Sequence, residues 1–168
     1  FQYYHAPLYL DRYEAISALG ASAEKDSLSR KTITDALQDK FWKIRETAIH
    51  NISKDILYGK KEVLKQILTV MIIKDPKPAI RSAAIACLSD HYDDEDLIAA
   101  YKKAMNDSAY SVVAEALEAL SKKKPDDILS IAKTQEEVKN NTVKIAIARI
   151  YSERGSDEQH VFFKKTFA

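Results

Sequence analysis

Glycine and proline are scarce in this chain, three and four of 168 residues. A collagen-like or low-complexity chain needs many more of both, so those classes are excluded. Cysteine occurs once, as Cys87. One thiol rules out an intramolecular disulfide framework and a cysteine-based zinc cluster. Lying between Ala84 and Leu88 at helical spacing, it reads as a small core residue. No stretch approaches the roughly 18 apolar residues that mark a membrane span, and no signal-peptide pattern opens the chain. Neither sign of charge dominates: 26 basic against 25 acidic residues give a net charge of +1. The basic excess that phosphate binding requires is missing, so neither nucleic acid nor a membrane surface is an expected partner.

What the chain does contain is a period. An alanine followed four residues later by a large aliphatic residue recurs as Ala15/Leu19, Ala48/Ile52, Ala84/Leu88, Ala116/Leu120 and Ala146/Ile150. In the first three cases an arginine stands three positions before the alanine: Arg12, Arg45 and Arg81. Helical spacing repeated every thirty-odd residues predicts stacked helix pairs. The expected fold is all-α, a right-handed α-α superhelix (an armadillo-like solenoid) of about five helix pairs. It is expected to form a single domain over 1–168. With no initiator Met before Phe1, the chain reads as the C-terminal part of a longer protein.

The punctuation agrees with this period. The first unit is expected to hold helices over 10–19 and 27–37, with Asp26 as N-cap and Gly20 as a left-handed closing residue. Leu28, Thr32, Ile33, Ala36 and Leu37 should share the buried face of the second helix. The second unit places Phe41, Ile44, Ala48 and Ile52 on one stripe, followed by Val63, Leu64, Ile67, Leu68, Met71 and Ile72 on the next helix. The third begins at Asp75-Pro76-Lys77-Pro78 and buries Ala79, Ile80, Ala83, Ala84, Cys87 and Leu88; Asp93 to Asp96 then open its partner helix. The fourth starts at Ser108 as cap, and the fifth carries Val143, Ala146, Ile147 and Ile150 before a closing Gly155. A last helix is expected from His160.

Asp39 and Asp75 each precede an arginine by six residues, Arg45 and Arg81, with Ile44 and Ile80 just before the arginine and Ala48 and Ala84 three after it. In the fourth unit Asp107 and Val112 remain and Val113 takes the arginine's place. This resembles the HEAT repeat, and the resemblance implies that Asp39, Arg45, Asp75 and Arg81 form a structural inter-repeat ladder. A catalytic alternative, with Trp42 beside Arg45 and Asp39 as in helical-repeat DNA glycosylases, lacks the positive charge such an enzyme needs. The four histidines form no His-Glu-x-x-His pair, and no phosphate loop or nucleophile elbow is present. No catalytic, cofactor-binding or metal residue is therefore expected within the chain.

Phe1, Tyr3, Tyr4 and Tyr9 make an aromatic stretch that reads as an end-cap or as a docking edge. The segment Tyr4 to Ala15, Tyr4-His5-Ala6-Pro7-Leu8-Tyr9-Leu10-Asp11-Arg12-Tyr13-Glu14-Ala15, resembles the start of the C-terminal helical domain of bacterial M1-family zinc aminopeptidases. Phe41-Trp42-Lys43-Ile44-Arg45-Glu46-Thr47-Ala48 is similar to the repeat that follows there. The resemblance implies a non-catalytic domain packed against upstream catalytic domains of the same chain and limiting access to them, with zinc held by the parent protein and not by these residues. The alternative is a stand-alone protein-interaction scaffold that takes peptide or protein in a concave groove.

Overall fold

The structure, a computed structural model, describes residues 8–23, 26–52, 60–123 and 126–167. No strand occurs among them. The helices in chain order are α1 (Tyr9–Gly20), α2 (Ser27–Ala36), α3 (Trp42–His50), α4 (Lys61–Lys74), α5 (Pro78–His91), α6 (Leu97–Ala104), α7 (Tyr110–Lys123), α8 (Ile128–Lys133), α9 (Asn141–Arg154) and α10 (His160–Phe167). They fall into two compact units, Phe1–His91 and Tyr92–Ala168.

In the first unit α1, α3 and α5 form a row, each packing on the next. α2 packs on α1 and α3, and α4 packs on α5 in the most extensive helix contact of the molecule. In the second unit α6 packs on α7, α7 on α9, and α8 on both α7 and α9. α2 packs more on α1 than on α3, and the other close consecutive pairs are α4/α5, α6/α7 and α8/α9. The expected α1/α2 pair is thus present, while from α4 onward the pairing is shifted by one helix from the sequence expectation, which joined α3 to α4 and α5 to α6. Periodicity fixes the length of a repeat but not where it starts. Short antiparallel connections do that, and Asp39, Asp75 and Asp107 lie in three of them.

The repeated alanines sit where helices approach most closely. Ala48, Ala84 and Ala116 are fully buried and Ala146 nearly so. Ala15 and Leu19 differ, being half-buried. The buried positions of α1 are Arg12 and Ile16; among the described helices α1 packs chiefly on α2 and α3, whereas α3 packs on α1, α2 and α5. The expected faces were also drawn too wide. Leu28 and Val63 are exposed, Ile67 is half-buried, and Ala79 lies outside. The buried stripe of α4 is Leu64, Leu68, Met71 and Ile72, a narrow strip facing one principal partner.

Helix ends follow local chemistry. Asp26 caps α2, its carboxylate accepting from the amides of Leu28 and Ser29 at 3.2 and 2.8 Å. Asn140 caps α9 in the same way, accepting from Thr142 and Val143. Gly20 has no left-handed backbone; it is the last residue of α1. A Cβ there would lie 2.2 Å from Asn51 Oδ1, and Asn51 donates to the Ile16 carbonyl at 3.1 Å. The absence of a side chain at Gly20 makes room for that bond. Gly155 is likewise extended rather than left-handed, with φ −75° and ψ 171°. Gly59 lies outside the described residues. The acidic run at Asp93 does not open a helix: α6 begins at Leu97, and Asp96 makes no side-chain cap. Ser108 does not cap α7 either, which begins at Tyr110; the Asp107 carboxylate accepts the Ala109 amide at 2.8 Å.

Candidate functional site

The charged residues most deeply buried in the first unit form a ladder along its row of helices. Arg12 of α1 donates through Nε and Nη2 to both carboxylate oxygens of Asp39, at 2.8 and 3.2 Å. Arg45 of α3 makes the same fork to Asp75, at 2.7 and 2.8 Å. The side chains are 4% and 5% exposed in the first pair and 10% and 6% in the second. Desolvation at that depth is offset only when both partners are held in good geometry, and a two-bond guanidinium–carboxylate fork provides it.

The remaining atoms of each group are also engaged. Arg45 Nη1 donates to the Asp39 carbonyl at 2.8 Å, and Arg81 Nη1 to the Asp75 carbonyl at 2.9 Å. Asp39 Oδ1 accepts the Phe41 amide, and Asp75 Oδ1 the Lys77 amide, at 2.8 and 2.9 Å. Arg45 therefore binds the backbone of its own turn and the carboxylate of the next repeat. The six-residue Asp–Arg spacing in the sequence corresponds to the backbone bond, while the side-chain fork spans 27 or 30 residues. Arg12 is a ladder residue that the Asp–Arg spacing missed, since no aspartate stands six before it. Its place three before Ala15 was the available signal. Val113, where the arginine is replaced, is buried.

This geometry decides what the ladder can do. The Asp39 carboxylate is held by Arg12 and the Arg45 guanidinium by Asp75, so neither is offered to a ligand beside Trp42. Cys87 is similarly withdrawn: burial, with a smaller contribution from Asp90, pushes its thiol up to about 12. A thiol so rarely ionised is a poor nucleophile. It shares an open cleft with His50, Asp90 and His91. Among the described residues no group of three or more His, Cys, Asp or Glu is arranged to hold a metal ion. In the second unit Tyr92 is buried and Asp93 accepts from Lys123 at 2.5 Å. His160 is exposed, and His5 lies outside the described residues.

Two surface features remain. At the start of α1 and α3 the Tyr9 ring lies 4.4 Å from Phe41, Phe41 lies 6.2 Å from Trp42, and Lys43 Nζ sits 5.5 Å over the Trp42 ring. Leu8, Tyr9 and Leu10 are each more than half exposed beside them. Of the expected docking edge, Tyr9 is thus on the surface, while Phe1, Tyr3 and Tyr4 lie outside the described residues. Phe41 and Trp42 join Tyr9 there, a meeting of distant segments that no local spacing announces. The second feature is an open depression of about 310 Å³ between the ends of α2 and α4, above Arg45 and Asp75.

No curated protein matches the chain. The family of HEAT repeats matches residues 31–121, which runs from within α2 to within α7. Its span holds Asp39, Arg45, Asp75 and Arg81 together with three of the buried alanines, and it covers more than half the sequence. The chain belongs to the HEAT-repeat family.

Proposed function

We propose that this helical-repeat scaffold is non-catalytic and docks to a polypeptide surface through the edge made by Tyr9, Phe41 and Trp42. The observation that carries this reading is the partly exposed cluster of aromatic rings in tilted contact, flanked by exposed Leu8 and Leu10. Aromatic anchors of this kind dominate binding energy at protein interfaces. Replacing Tyr9 with a photo-crosslinking phenylalanine analogue tests it, with the same analogue at the exposed Tyr110 as control. A discrete polypeptide adduct from position 9 and none from 110 is expected. Equal adducts from both sites would remove the edge from consideration. Hydrolysis of aminoacyl or peptide substrates by the purified chain would refute the non-catalytic part.

A second, narrower reading takes the partner to be the upstream catalytic domains of an M1-family zinc aminopeptidase in the same polypeptide. Its support is the resemblance in 4–15 and 41–48, whose described parts meet at the Tyr9–Phe41 contact. Zinc would then belong to the parent, and this domain would restrict access to the active-site chamber. The coding sequence upstream of Phe1 tests it. A His-Glu-x-x-His with a downstream glutamate is expected, and an upstream region without that motif overturns the reading.

A further inference from the structure

The depression between the ends of α2 and α4 combines an apolar lining with two ion-paired carboxylates and the cation Lys74. Leu37, Val70, Met71 and Pro76 line it, with Gln38 and Lys74 at its edge. Val70 is 52% exposed although it belongs to a helix whose opposite face is fully buried. The two carboxylates that reach the lining, Asp39 and Asp75, are neutralised by the forks of Arg12 and Arg45. Lys74 is exposed, as are Lys40 and Lys77, which directly follow the lining residues Asp39 and Pro76. In contrast to Lys31 and Lys43, which pair with Asp35 and Glu46, these three ammonium groups are engaged by no carboxylate among the described residues.

We propose that this depression is a docking groove for an acidic peptide segment bearing one apolar anchor, a leucine or phenylalanine flanked by carboxylates. The anchor would cover Val70, Met71 and Leu37, while the flanking carboxylates would meet Lys40, Lys74 and Lys77. At about 310 Å³ the space accommodates a single large side chain with part of its backbone; it stands at the small end of ligand sites. Open exposure favours a peptide crossing the groove over a small molecule enclosed in it. Charge complementarity selects acidic over basic segments and speeds encounter. This deepens the scaffold reading and rests on it, naming a second surface distinct from the aromatic edge.

The test is a titration of the ¹⁵N-labelled chain with a pool of acetylated nonapeptides, Leu or Phe at the centre and Asp or Glu on both sides. Saturable amide shifts are expected at Gln38, Lys40, Val70, Lys74 and Lys77. A pool with lysine flanks and an acidic pool with serine at the centre should each bind at least about tenfold more weakly. Lys74→Glu should reduce affinity by about tenfold and leave the thermal midpoint in place, since the residue is exposed and unpaired. Val70→Glu should abolish binding with the fold intact.

The proposal is overturned if these amides show no saturable shift up to millimolar peptide, or if lysine-flanked peptides bind equally well. Binding indifferent to Lys74→Glu overturns it too. Shifts at the same amides that grow with protein concentration alone would instead make the occupant a second copy of this chain, and so also overturn it. Crosslinking from position 9 is read independently, so loss of the groove and loss of the scaffold reading are distinguishable.

Discussion

An aspartate in one of these turns accepts two bonds from an arginine a repeat away and one from an amide two residues on, and little of it is left to solvent. Removing Asp75 therefore does more than delete a pair. It leaves the Arg45 guanidinium buried without its counter-charge and the Lys77 amide without its acceptor. Asp75→Ala is expected to destabilise the chain by about 3–5 kcal/mol in urea unfolding. Adding Arg45→Met should restore a large part of that loss, and a double variant as unstable as the single one would show that the fork contributes little. At the surface the same residue type behaves differently. The Asp26 carboxyl is held below the usual carboxylate range, chiefly by the Ser29 hydroxyl and then by the Ser29 and Leu28 amides. A depressed value in the folded state means that the cap contributes fully above the ordinary carboxylate range of about 4. Its contribution is lost as pH falls through the folded value. The stability gap between wild type and Asp26→Ala, followed by denaturation from pH 6 to pH 2, should be constant at first and then close. A gap that widens on acidification would contradict the cap.

Among helices, the exchange of bulk for closeness is clearest in α5. Ala84 is fully buried, with Ile80, Ile85 and Leu88 around it, and α5 packs on both α3 and α4. Ala84→Leu adds three carbons where backbones approach, and the expected cost is about 1–3 kcal/mol; an unchanged thermal midpoint would place Ala84 on a surface. This position was legible in the sequence because an alanine and a leucine four apart are a local signal, repeated often enough to stand out. The all-helical repeat was legible for the same reason. What local signals could not carry was the pairing of elements. The Arg12–Asp39 fork joins residues 27 apart, and the Tyr9–Phe41 ring contact joins α1 to the residue that precedes α3. Both depend on how α1 lies against α3. The widths of buried faces failed likewise, since Leu28 and Val63 continue an apolar pattern but no described neighbour covers them. The lysines around the groove look in the sequence like any other exposed lysines. Only the neutralised aspartates beneath them give the charge its direction.

For the molecule as a whole, stability in a repeat protein is close to a sum of units and nearest-neighbour contacts. The described residues fall into two compact units that divide after His91, between helix pairs and not within one. Asp39→Ala, which strands Arg12, is expected to accelerate amide exchange through α1, α2 and α3 while α7 and α9 keep their protection. Equal acceleration in both units would mean that the chain opens as one cooperative block. The direction of the ladder has a different kind of consequence. Both forks run from an arginine to the aspartate of the following repeat, so in the first unit the donor is presented forward and the acceptor backward each time. Excising one whole period would bring Arg12 to Asp75, and duplicating one would insert a matching donor and acceptor together. Neither change leaves a buried charge alone, whereas a deletion of any other length does. The ladder thus acts as a reading frame for gene rearrangement: such arrays can lengthen or shorten in evolution, but only by complete periods.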